Sequence, residues 1–207
     1  MRNKVWIIGV TGGVGAGKSE ILKYLAERYR CRVIYTDRVA NDLKLKGAPC
    51  YQAIIDLLGA EILDADGEID KRLMAQKIFQ DVTLLEQVNG ILHPAVYDYV
   101  TDAIRTEQTA GVLDYLFLEA ALLIEAGYGK IVDEMWYVHA EEDVRRNRLK
   151  ASRGYDNDRI DGILKGQLSE AAYRAGADFV IDNSGALQTA CEAIDLHLED
   201  LAKGKSQ

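Results

Sequence analysis

The run Gly12-Gly13-Val14-Gly15-Ala16-Gly17-Lys18-Ser19 sets a lysine and a hydroxyl behind a glycine-rich stretch in the spacing G-x-x-x-x-G-K-[ST]. The chemistry that this pattern serves is the binding of a nucleoside triphosphate. Glycines let a loop wrap closely enough to aim backbone N–H groups at phosphate oxygens, and a helix that follows adds its positive end. Lys18 then reaches the β- and γ-phosphates, and Ser19 ligates Mg²⁺. Glu20 completes the turn; its carboxylate suits the helix dipole yet lies close to the phosphates, so its side chain is expected to point away.

Other residues offer acid, base and charge. Asp37 follows an apolar strand candidate, and in α/β sheets ligands bind beyond the carboxyl ends of strands. It can take the proton of an acceptor hydroxyl or orient metal-bound water, or it can simply N-cap a helix beginning at Arg38. Glu119 ends another strand candidate and either serves Mg²⁺ or is a solvated strand end. Arg145, Arg146, Arg148, Lys150 and Arg153 form a basic cluster. Some of them can close over a triphosphate, and together with Glu141, Glu142, Asp143 and Gly154 they also complement a helix macrodipole. His93-Pro94 reads as a helix-breaking turn, while His139 and His197 read as structural or exposed. No Ser/His/Asp or Cys/His constellation appears, so covalent catalysis is not indicated.

The elements that must position these groups follow from the apolar pattern. Val5 to Val10 is a continuous apolar run that stops at Thr11-Gly12-Gly13, as expected of a strand buried on both faces. From Lys18 the stripe Ile21, Leu22, Leu25, Ala26 predicts a helix to about Tyr29. Further strands are expected at 32–35, 113–118, 135–139 and 179–181 with helical segments between them. The whole is therefore an α/β domain with a parallel sheet flanked by helices. Residues 73–107 are helical in pattern apart from the His93-Pro94 break.

Composition narrows the partners. The chain has 207 residues, 48% of them apolar and 28% charged, enough for one domain with a substantial core. A net charge of −8 argues against nucleic acid as a partner. Cys31, Cys50 and Cys191 are widely spaced and read as reduced thiols, with no zinc or disulfide pattern. No apolar run approaches the roughly 18 residues of a membrane span, and no signal peptide precedes the glycine turn. A cytoplasmic protein with a small-molecule substrate is expected, as a monomer or weak homo-oligomer.

Taken together, the P-loop, Asp37, Gly67-Glu68-Ile69-Asp70 before a helix containing Ile78-Phe79, His93-Pro94, Leu122-Leu123-Ile124-Glu125, Gln167 and Ala177 to Gly185 resemble the dephospho-coenzyme A kinase family from about Val5 to Gly185. The resemblance implies a nucleotide-kinase-like core (about 1–60, 108–140 and 175–207), a helical CoA-binding region (about 61–107) and a helical lid (about 141–174). It implies transfer of the γ-phosphate of ATP to the ribose 3′-hydroxyl of dephospho-CoA, with Mg²⁺. It further implies that Asp37 activates that hydroxyl, that lid arginines, Arg148 and Arg153, stabilise the transferring charge, and that Asn183 and Gly185 lie near adenine. His93, Leu122 and Glu125 fall on the acceptor side.

Departures from the family pattern are Glu20, Tyr35, Ala121 and the five-residue spacing of Arg148 and Arg153. Two other readings fit the P-loop: a nucleoside monophosphate kinase, separated by its acceptor, and a regulatory nucleotide switch. A guanine-reading Asn-Lys-x-Asp segment is absent from the sequence.

Overall fold

The computed structural model describes residues 4–79, 81–120 and 122–204. Five strands form one sheet: β1 (Trp6–Thr11), β2 (Cys31–Tyr35), β3 (Tyr115–Glu119), β4 (Glu134–His139) and β5 (Phe179–Asp182), in the order β2-β3-β1-β4-β5. β1 pairs in parallel with both β3 and β4, and β4 with β5. Ile7, Ile8, Val10, Leu116, Phe117, Leu118, Trp136 and Val138 are all buried. Neighbouring residues on a strand face opposite sides of the sheet, so unbroken burial means that both faces are covered, which is why these strands read as continuous apolar runs.

The chain divides into two compact units, residues 1–33 with 110–207, and residues 34–109. In the first unit, α1 (Lys18–Arg28) follows β1 and buries the expected stripe Ile21, Leu22 and Leu25. The remaining helices of this unit are α6 (Glu142–Arg153), α7 (Asn157–Lys165), α8 (Glu170–Ala175) and α9 (Leu187–Gly204). An aromatic ladder crosses the sheet, Tyr115 against Phe117, Phe117 against Trp136, and Trp136 against Phe179. His197 stacks on Phe179 at 4.0 Å and bonds Glu134 at 2.8 Å, a structural role.

The second unit holds α2 (Thr36–Asp42), α3 (Tyr51–Leu58), α4 (Lys71–Phe79) and α5 (Val82–Ala110), with a core of Cys50, Ile54, Leu58, Ile62, Met74, Val88 and Leu92. The region 61–107 lies inside this unit, which begins earlier, at Ile34. The Gly67-Glu68-Ile69-Asp70 segment has a local physical use. Asp64 Oδ1 accepts from the backbone N–H of Asp66 and Glu68, and Asp70 Oδ1 accepts from those of Arg72 and Leu73 to cap α4. These bonds hold the Asp70 carboxyl below its ordinary range.

One expectation is corrected here. His93-Pro94 does not break the helix: α5 runs through it, with Pro94 inside. A proline in a helix interior costs about 3 kcal/mol. Val88, Leu92, Val96 and Val100 recur every four residues along α5 and are buried, and each such side chain contributes about 1.5–3 kcal/mol, enough to offset the proline. The interruption falls earlier, between Phe79 and Val82, where Asp81 Oδ1 accepts from Thr83 N at 2.8 Å.

Candidate active site

Register places the first functional pair. Val10 on β1 is the parallel partner of Glu119 on β3, so the carboxylate ending β3 stands beside the strand that runs into the P-loop. Lys18, at the start of α1, comes within 3.6 Å of Glu119 Oε1 and donates to Gly12 O at 2.7 Å. The solvated strand end is therefore not what Glu119 forms; its carboxylate is 16% exposed and faces the P-loop lysine. Gly12 takes φ 144°, and a Cβ there would stand 2.5 Å from Val138 O, so both backbone conformation and close approach to β4 demand glycine. Ser19 and Glu20 are exposed on the first turn of α1.

The loop is held by its carbonyls. Gly13 O accepts from Ala16 N at 3.2 Å, and Gly17 O from Glu20 N and Ile21 N. Val14 O accepts from Arg145 Nε at 3.0 Å, and Ala16 O from Arg148 Nη1 at 3.2 Å and Asn183 Nδ2 at 2.8 Å. The C=O and N–H flanking a trans peptide bond point in opposite directions. Committing carbonyls to the protein is thus the arrangement that turns loop N–H groups toward a phosphate.

Asn183 is placed by β5, whose end aligns with that of β4: His139 and Asp182 are register partners, and Asn183 N donates to His139 O at 2.8 Å. Arg148 Nη2 donates to Asn183 O at 2.8 Å, while Asn183 Oδ1 is buried with no partner among the described residues. Ser184 Oγ accepts from Glu141 N and donates to Asp182, whose carboxyl is held below its ordinary range chiefly by that hydroxyl. A side chain at Gly185 would meet nothing within 4 Å, so packing alone does not require this glycine.

Arg148 and Arg153, both expected to act from a lid, part company. Arg148 is brought to the P-loop, whereas Arg153 is the exposed last residue of α6, its guanidinium 5.9 Å from the Tyr155 ring. Five residues turn about 140° around a helix, so the two face different sides. Sequence reasoning did not single out Arg145; its signal was the i, i+3 spacing to Arg148, which puts both on one face of α6. A cleft of about 480 Å³ in this unit is lined by Tyr137, His139, Glu141, Arg145, Gln167 and Glu170, among others. His139 is buried there, with Nε2 3.8 Å from Glu141 and Nδ1 3.8 Å from Glu170.

Leu122 and Glu125 are exposed on a helical turn after β3, and Leu123 is buried; Ala121 lies outside the described residues. In the second unit, α2 begins at Thr36, so Asp37 occupies the first turn and is not the N-cap; Tyr35 is, with Arg38 over its ring at 4.3 Å. The Asp37 side chain is exposed, and its backbone carbonyl accepts from Asn41 Nδ2. Lys44, which sequence reasoning passed over, carries an ammonium whose pKa burial pushes down, helped by neighbouring Lys71 and opposed by Asp37. His93 is exposed on α5.

Ser19 and Glu119 are oxygen donors of the kind that Mg²⁺ prefers, and no group of three or more His, Cys, Asp or Glu side chains forms a metal cage among the described residues. That donor set fits a cation carried largely by nucleotide phosphates and water.

A parallel 2-3-1-4-5 sheet whose central strand leads through a P-loop into a helix, with a carboxylate on the adjacent strand beside the loop lysine, defines a P-loop phosphotransferase of the nucleotide-kinase type. The dephospho-CoA kinase family model matches residues 6–189. A dephospho-CoA kinase of Carboxydothermus hydrogenoformans is 36% identical over 188 residues, covering 91% of this chain and 90% of that protein. One from Fusobacterium nucleatum is 31% identical over 197 residues, covering 95% and 99%. The crystal structure of TT1252 from Thermus thermophilus superposes with a TM-score of 0.79 at 25% identity, covering 96% of this chain and 99% of that one. The chain belongs to the dephospho-CoA kinase family and is an ATP-dependent kinase. A shikimate kinase from Acinetobacter baumannii shares the fold at a TM-score of 0.52 and 14% identity, covering 95% of this chain and 94% of its own.

Proposed function

We propose that this kinase transfers the γ-phosphate of ATP to the ribose 3′-hydroxyl of dephospho-CoA, yielding coenzyme A and ADP. The observation that carries the reading is the Lys18–Glu119 pair at the mouth of a P-loop in a chain of this family. Lys18 neutralises charge on the β- and γ-phosphates, and residues 12–20 wrap them. Asp37 accepts the acceptor proton, so its exposed carboxylate must stay ionised to work as a base. Arg148, bonded to Asn183 O, serves the nucleotide together with Asn183 and Gly185, and Arg153 acts from the lid at 141–174, which closes on the phosphates. His93, Leu122 and Glu125 contact the acceptor, with 61–107 as its binding region. Mg²⁺, held by Ser19 and Glu119, supplies charge neutralisation to the phosphates when bound. Among the described residues no helix is long and apolar enough to cross a membrane; the same reading takes the enzyme as cytoplasmic and as a monomer or weak homo-oligomer.

The test is ADP release with Mg²⁺·ATP and separate acceptors: dephospho-CoA, AMP and other nucleoside monophosphates. Turnover with dephospho-CoA alone is expected. Turnover confined to a nucleoside monophosphate would overturn the acceptor assignment and leave the P-loop chemistry standing.

A further inference from the structure

We infer that Arg145 is the positioning residue that sets the P-loop for the nucleotide and ties that setting to the lid through Gln167. The inference rests on the P-loop holding the phosphates of ATP, as proposed above.

Arg145 Nε donates to Val14 O at 3.0 Å, and its Nη2 donates to Gln167 Oε1. The guanidinium lies close against Gly13: a Cβ there would run into it and stand 2.8 Å from Gln167 Oε1. Gly13 has no positive φ, so a side chain at this position would displace the ends of Arg145 and Gln167 and would not strain the backbone. Three residues on, Arg148 holds Ala16 O. One face of α6 therefore grips two alternate carbonyls of the loop, Val14 and Ala16. Arg146 points elsewhere, to Glu142 and to Asp161 on α7 at 2.6 Å. Gln167 sits just beyond α7, before the Ser169 cap of α8. A displacement of that segment would take away one of the two partners that fix the guanidinium.

A guanidinium suits this task because its planar fork can satisfy two acceptors in different directions while remaining charged. It thus adds a fixed positive charge beside a loop that must receive a polyanion. A lysine in its place could reach Val14 O but could not span both acceptors in that geometry.

The test measures Mg²⁺·ATP affinity by calorimetry on the full chain, together with KM for ATP and for dephospho-CoA. Arg145→Ala is expected to weaken ATP about tenfold, with the dephospho-CoA KM within about twofold of the parent. Arg145→Lys is expected to recover only part of the loss, since it keeps the charge and can reach Val14 O without spanning to Gln167, and it tests the inference even if the alanine variant folds poorly. Gln167→Ala should weaken ATP less, and the double Arg145→Ala/Gln167→Ala variant should be no weaker than Arg145→Ala, because the glutamine acts through the arginine. Parent-like ATP affinity in Arg145→Ala, when Lys18→Ala has lost it, would overturn the inference; so would losses that add in the double variant. Parent-like affinity in Lys18→Ala would instead remove the P-loop reading on which the inference stands.

Discussion

Lys18 and Glu119 face each other at 3.6 Å although 100 residues of chain separate them, because parallel pairing sets Val10 beside Glu119 and the P-loop returns its lysine to the mouth of the same strand. The lysine has a carboxylate before it and, on the proposed reading, phosphates and a cation when loaded. The pair is the natural place to probe metal coupling.

Glu119→Gln keeps the shape and removes the charge. The Mg²⁺ concentration for half-maximal ADP release is expected to rise several-fold, with kcat/KM for ATP falling about tenfold. An unchanged Mg²⁺ titration would show that Glu119 does not serve the metal.

Asp37→Asn removes the proposed base and leaves α2 in place, since the Asn41 side chain bonds the Asp37 backbone carbonyl. Turnover should fall about 10²–10⁴-fold, the usual contribution of a positioned base. ATP affinity should stay as in the parent; retained turnover with lost ATP binding would contradict the assignment.

Pro94 is exposed inside α5, where it can donate no backbone hydrogen bond. Pro94→Ala is expected to raise stability by about 1–3 kcal/mol, read as a higher urea midpoint. A fall would mean that the proline shapes a bend on which the packing depends.

Asp195 on α9 accepts the hydroxyls of Tyr24 at 2.7 Å and Tyr29 at 2.5 Å, beside Arg28 at 3.3 Å. Burial and this carboxylate push the Tyr24 hydroxyl up to about 12 and raise Tyr29 as well. Their unfolded value is about 10, so the folded state holds the protons more tightly. The resulting stabilisation is complete below about pH 10 and is lost as pH rises toward 12. Urea midpoints between pH 8 and 11.5 should fall more steeply for the parent than for Tyr24→Phe/Tyr29→Phe; parallel curves would refute the coupling.

Much of the fold and part of the site are legible in the residues alone. The P-loop is contiguous, its glycines, lysine and hydroxyl carry their meaning in their spacing, and the strand before it and the helix after it show the periods expected of each. Doubly buried strands announce themselves as unbroken apolar runs. The likeness to a kinase family also rests on short segments read in order.

Other features depended on tertiary structure because they join distant parts of the chain. That α5 passes through Pro94 is decided by the buried valine and leucine face, which outweighs a local breaker. Whether Glu119 faced the P-loop lysine or was a solvated strand end depended on strand register. Among five basic residues on α6, composition could not choose; the contacts of Arg145 and Arg148 with carbonyls some 130 residues earlier make the distinction, and leave Arg153 beside Tyr155. Sequence by itself determined which local conformations and which chemistry the chain carries, since these arise from neighbours a few residues apart. Only the folded chain decided which charged side chains meet, because that follows from sheet order and helix facing, which no local pattern encodes.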